Sequence, residues 1–134
     1  MLEIEVFGAG LLSGPLLQSE VERLCLLALA SAAVEDGHLA VEFVEADRIA
    51  KLNGEHRGRD APTDVLSFPV DGAERGVVGG GPRELGDIVI CPEHTRDVSE
   101  AIVHGTLHLV GMDHETDDGE MLAVQAEILR WGSV

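Results

Sequence analysis

Residues 85–111, LGDIVICPEHTRDVSEAIVHGTLHLVG, decide the fold. LGDIVICP (85–92) is a short apolar run closed by proline, the pattern of a buried strand. AIVHGTLHLVG (101–111) is apolar on nearly every side and ends at Gly111, so it reads as a helix with a glycine stop. Each segment must bury its apolar surface against another layer. Together they call for a sheet covered by helices.

The rest of the chain fits around this pair. VLSFPV (65–70) precedes it as a strand with Pro69 near its end, and DGAERGVVGGGPRE (71–84) reads as a glycine-rich loop between the two strands. Upstream, ADRIAKLNGEH (46–56) is a short helix that Asn53-Gly54 should end, followed by the polar loop RGRDAPTD (57–64). HLAVEFVEA (38–46) and LEIEVFG (2–8) alternate as strands. Between them Leu17, Val21, Leu24, Cys25 and Ala28 mark one face of a long helix, with Asp36-Gly37 as its stop. Downstream, Thr116 caps a last helix, and Asp117, Asp118 and Glu120 suit its positive end. Met121, Val124, Ile128 and Trp131 should share its buried face. The expected order is β-α-β-α-β-β-α-α. The expected fold class is α/β (α+β), a single domain over residues 1–134 built as a small mixed four-stranded sheet covered by helices.

Composition narrows the class of function. Hydrophobic residues are 45% of the 134, which excludes disorder. The longest nearly pure apolar run, LCLLALASAAV (24–34), is far short of the roughly 20 residues a membrane span needs. The start, MLEIEV, is acidic and lacks the basic region of a secretory signal, so a cytoplasmic protein with no membrane partner is expected. Cys25 and Cys91 form no CxxC pair and read as buried free thiols. A net charge of −16 argues against non-specific binding to nucleic acid. One stretch departs from it. RIAKLNGEHRGR (48–59) sets Arg48, Lys51, Arg57 and Arg59 against Glu55 alone and is locally +3. A polyanion could be met there and repelled elsewhere.

Three of the six histidines lie in HGTLHLVGMDH (104–114). His104 and His108, four apart on a helix, share a face. Gly111 permits a sharp turn that can carry His114 back toward them. Three neutral imidazoles leave a fourth position open, the arrangement of a catalytic zinc, one ion per chain. Singly, each histidine would be an ordinary core or loop residue. The skeleton H-x-x-x-H-x-x-G-x-x-H is also that of metzincin proteases, but Gly105 stands where those carry the glutamate general base. A glycine inside a helix costs about 1 kcal/mol relative to alanine, so close approach or open space is expected at Gly105, with substrate beside the metal as one reason. Thr63 and Asp64 fit a turn leading into a strand, and Ser67 reads as structural. Asp113 and Glu115 read as loop acids, and His38, His56 and His94 as exposed.

LNGEHRGRDAPTDVLSFP (52–69), LGDIVICP (85–92) and HGTLHLVGMDHE (104–115) together resemble the YbeY family of bacterial endoribonucleases, also called rRNA maturation factors. The likeness covers most of the chain. It departs at Met112, where the family often has tyrosine, and in a shorter stretch between Pro92 and His104. The resemblance implies zinc on His104, His108 and His114, and a part in activity for Arg57, whose planar guanidinium suits a phosphate. It further implies single-stranded RNA as substrate, ribosomal RNA maturation including the small-subunit 3′ end, and ribosome quality control. The implied setting is the cytoplasm, in association with ribosomes or ribosomal proteins. A metal-dependent hydrolase of another substrate and a non-catalytic ribosome assembly factor with a zinc site are the alternatives.

Overall fold

A computed structural model describes residues 2–12, 18–70, 84–112 and 119–132. Strands β1 (Leu2–Phe7), β2 (Gly37–Phe43), β3 (Val65–Pro69) and β4 (Glu84–Ile90) form one sheet in the order β1-β2-β4-β3. β1, β2 and β4 run parallel, and β3 lies antiparallel to β4 at the edge. Helices α1 (Gln18–Ser31), α2 (Ala46–Arg57), α3 (Val98–Leu109) and α4 (Glu120–Gly132) complete the described residues. The expected mixed sheet and element order are both present. The glycine-rich loop lies outside the described residues over 71–83, as do Leu17 and the cap at Thr116.

Alternation along the strands divides the core. Leu39, Val41, Ile88 and Ile90 meet the stripe Val21, Leu24, Cys25, Ala28 and Leu29 of α1, together with Ile102, Val103 and Leu107 of α3 and Met121 and Ile128 of α4. A smaller cluster joins Ile49 of α2 to Leu66, Val89 and Cys91. β4 therefore contributes apolar side chains to both clusters, which is why its sequence is a continuous apolar run. Both cysteines are free and buried. Burial pushes the Cys25 thiol up to about 12, against the opposing hydrogen bond from Thr106, so it stays protonated and inert.

Three helix boundaries and one buried-face residue differ from the sequence expectation. α1 ends at Ser31, well before Asp36-Gly37, and Gly37 instead opens β2. Ala33 takes the left-handed position with φ 57°, while the Val34 and Ala33 N–H groups bond back to the Leu29 and Ala30 carbonyls at 3.0 Å. This is the closing pattern glycine usually makes, formed here by alanine. α2 runs through Asn53-Gly54 to Arg57 and ends at Gly58, with φ 71°. Gly54 serves packing, since a side chain there would strike the Asp60 carboxylate where the following loop folds back. α3 begins at Val98, three residues ahead of Ala101, because Asp97 caps it by accepting from the Glu100 N–H at 3.2 Å. Trp131 does not share the buried face of α4. It is 66% exposed and donates its indole N–H to Glu127 at 3.0 Å. Ten residues past Met121, at 100° per residue, it is turned about 80° from that face.

His38, expected to be exposed, is half-buried between two carboxylates. Its Nε2 lies 2.6 Å from Glu5 Oε1 and its Nδ1 2.8 Å from Glu84 Oε2, so one ring ties β1, β2 and β4 together. Burial alone would lower its pKa, but the hydrogen bonds and charges of Glu5 and Glu84 outweigh that and raise it above the usual histidine value. A raised folded-state pKa gives stability that is complete below the unfolded value and is lost as pH rises through the folded value. His38→Gln should therefore lower the melting temperature more at about pH 6 than at about pH 9. Equal losses at both would show that the ring is uncharged in the folded protein.

Gly105 is closed against the sheet. A Cβ there would lie 2.7 Å from Ile88 Cγ2 and 3.3 Å from Ser67 Oγ, so helix and sheet approach each other at this point. The tight contact is with the core and not with substrate. Gly105→Ala should destabilise by about 1–3 kcal/mol through overpacking, against the roughly 1 kcal/mol that alanine gains in a helix. Urea unfolding would measure the net effect.

Candidate active site

α3 is packed against α1, α4, β3 and β4. From Ala101 to Val110 every residue is buried except His104 and His108. The helix repeat sets these two on the same face, and that face opens to a cleft. Their Nε2 atoms are 3.1 Å apart, and the rings meet edge to face with centroids 4.6 Å apart. Two nitrogens bound to one tetrahedral zinc at about 2.0–2.1 Å would stand roughly 3.3 Å apart. The pair thus has the spacing and donor type to hold a metal ion. His114, with Asp113 and Glu115, lies outside the described residues. Among the described residues no group of three metal-ligating side chains forms, so the histidine pair is what the structure brings together.

On its other side His104 meets α4. Its Nδ1 is 2.8 Å from Oε1 of Gln125, a side chain only 7% exposed. The sequence does carry a signal for Gln125. It is polar, yet it sits four residues after Met121 on the face that buries Met121 and Ile128.

The cleft has a volume of about 680 Å³ and is lined by His104, His108, Ser67, Arg57, Arg96 and Glu100, among others. Arg57 ends α2, where a cation favours the negative end of the helix. Its position depends on the fold-back after the helix. Asn53, buried in α2, donates from its side-chain amide to the Ala61 carbonyl at 2.8 Å, and its own carbonyl receives the Arg59 N–H at 3.4 Å. The loop is thereby held against the helix and leads directly into β3. Asp64 Oδ1 accepts from the Val65 N–H at 2.8 Å and from Thr63 Oγ1 at 3.2 Å, the expected turn, and both residues also line the cleft. Ser67 donates to the Gly105 carbonyl at 3.2 Å and so joins β3 to α3. Arg96, just before α3, is a second cation in the cleft that the sequence did not single out. His94 is exposed, and His56, also exposed, sets its ring edge-on to Phe68 with centroids 4.7 Å apart.

The class defined here is an α/β domain whose central helix presents paired histidines to a cleft bearing two arginines. A family profile described as Endoribonuclease YbeY matches residues 15–131. The Bacillus subtilis protein named Endoribonuclease YbeY is 39% identical over 129 residues, covering 82% of this chain and 82% of that one. The Rubrobacter xylanophilus protein of the same name is 46% identical over 96 residues, 69% of this chain and 66% of that one. The solution structure of TM1509 from Thermotoga maritima is similar with a TM-score of 0.57 at 29% identity, covering 97% of this chain and 90% of that one. The chain belongs to the YbeY endoribonuclease family.

Asn53→Asp would replace the amide donor with a buried acceptor facing the Ala61 carbonyl. The expected loss is about 1–3 kcal/mol, read as a lower urea midpoint. An unchanged midpoint would mean that the fold-back does not depend on this bond.

Proposed function

We propose that the chain is a zinc-dependent endoribonuclease that cuts single-stranded RNA. Its substrate is ribosomal RNA, in maturation that includes the small-subunit 3′ end and in ribosome quality control. It acts in the cytoplasm in association with ribosomes or ribosomal proteins. The carrying observation is the pair of imidazole nitrogens 3.1 Å apart on the one open face of α3, in the same cleft as Arg57. The names of the relatives support the nuclease class.

His104 and His108, with His114 by its sequence spacing, would hold one zinc ion. When bound, the ion supplies Lewis acidity at a phosphate oxygen. Arg57 does the complementary task. Its guanidinium pairs with phosphate oxygens in a fixed fork and stabilises negative charge as it develops. Arg96 offers a second contact for the RNA backbone in the same cleft. In a chain of net charge −16 that otherwise repels RNA, these two guanidiniums are the contacts the cleft offers to phosphate.

The protease alternative meets a physical obstacle. Position 105 faces Ile88 and Ser67 at contact distance, so the glutamate that peptide hydrolysis would need there has no room. A ribosome assembly factor without turnover would need neither Arg57 nor an open metal position.

The test is cleavage of a labelled single-stranded RNA with zinc added, using wild type, His108→Ala and Arg57→Ala. Arg57→Ala should keep its zinc and lose on the order of 10²-fold in rate, and His108→Ala should lose zinc and cutting together. Normal cutting by His108→Ala would sink the proposal. Absence of cutting by wild type, with ribosomal co-sedimentation intact, would favour the assembly factor.

A further inference from the structure

On the basis of the metal site proposed above, we infer that Gln125 is a positioning residue, which locks His104 in its metal-binding tautomer while adding no negative charge beside the phosphate. The amide oxygen of Gln125 faces His104 Nδ1 at 2.8 Å and accepts a hydrogen bond from it. With the ring proton held on Nδ1, the lone pair of that imidazole lies on Nε2, the atom 3.1 Å from His108 Nε2. The contact also fixes the plane of the ring. Nε2 therefore points at the shared position before any ion arrives, which removes an ordering cost from binding.

The contact is a built feature of the core. Gln125 is 7% exposed and sits on the α4 face that carries the fully buried Met121. An apolar side chain would suit that face equally well for packing. A glutamine there buries a polar group, which is favourable only where the group is hydrogen-bonded. Its partner is a cleft histidine on another helix, 21 residues earlier in the chain. The choice of amide over carboxylate has its own consequence. A carboxylate would accept the same hydrogen bond more strongly, yet it would place a negative charge behind the histidine and cancel part of the attraction for an anionic backbone. Asp64, Asp97 and Glu100 already stand beside Arg57 and Arg96 in the cleft, so a neutral acceptor leaves the two cations unopposed by any further acid.

Gln125→Met keeps the length and packing and removes the acceptor, and Gln125→Glu keeps the acceptor and adds the charge. Zinc affinity is measured by competition with a chromophoric chelator, and the Michaelis constant for a labelled single-stranded RNA is measured at saturating zinc. Melting temperatures of the metal-free proteins report any general loss of structure. Gln125→Met should weaken zinc binding about 10- to 100-fold with little change in metal-free melting. Gln125→Glu should bind zinc at least as tightly as wild type and raise the Michaelis constant for RNA several-fold. Wild-type zinc affinity in Gln125→Met overturns the positioning role, and an unchanged Michaelis constant in Gln125→Glu overturns the charge argument. Absence of zinc binding by the wild-type chain overturns this inference together with the proposed metal site. Tight zinc binding by wild type that Gln125→Met does not weaken overturns this inference alone.

Discussion

The close approach of α3 to the sheet at Gly105 is the constraint on which the site depends. With no side chain at that point, the helix settles against Ile88 and Ser67, and Ser67 bonds the Gly105 carbonyl. α1 and α4 pack against α3 as well, so its apolar surface is buried on most sides. What is left open is a single face, and the helix repeat places His104 and His108 on it. Burial of everything around them turns two side chains into a fixed donor pair.

Acidic side chains are crowded at two places in the fold, and each holds a basic partner. Along the β1 side of the sheet, Glu3 pairs in register with His38, His38 with Glu84, and Ala40 with Asp87. Asp87 is held above the usual carboxylate range, first by burial and then by the nearby Glu84, with His38 partly offsetting both. His38 relieves this crowding of acids at one point. Near β3 and α3 lies the cleft, where Arg57 and Arg96 stand among Asp64, Asp97 and Glu100. A net charge of −16 is therefore an average, and the stretch 48–59, locally +3, departs from it.

Strand alternation, the apolar run of β4 and the helical stripes of α1 and α4 were legible in the sequence because each reflects burial on a fixed period. Boundaries were less so. Ala33 closes α1 in a conformation that sequence rules assign to glycine, while Gly54, expected to end α2, lies inside it, where the Asp60 carboxylate leaves no room for a side chain. The spacing of His104 and His108 was readable because both lie on one helix. That Gln125, a polar residue on a buried face, is the partner of His104 was not, since the two meet through the packing of α4 on α3. His38 escaped for the same reason, as its two carboxylates belong to neighbouring strands.

The bond between His104 and Gln125 also bears on when the site exists. Gln125 belongs to α4, the last helix in chain order, whereas Arg57 and the histidine pair are made earlier. During synthesis the sheet and α3 can gather while α4 is still unmade, because chains fold from the N-terminal side as they emerge. Until α4 docks, α3 lacks one of its packing partners and His104 lacks its bond to Gln125. A partly synthesised chain therefore carries the residues of the cleft before the bond that orients His104, and that bond arrives with α4.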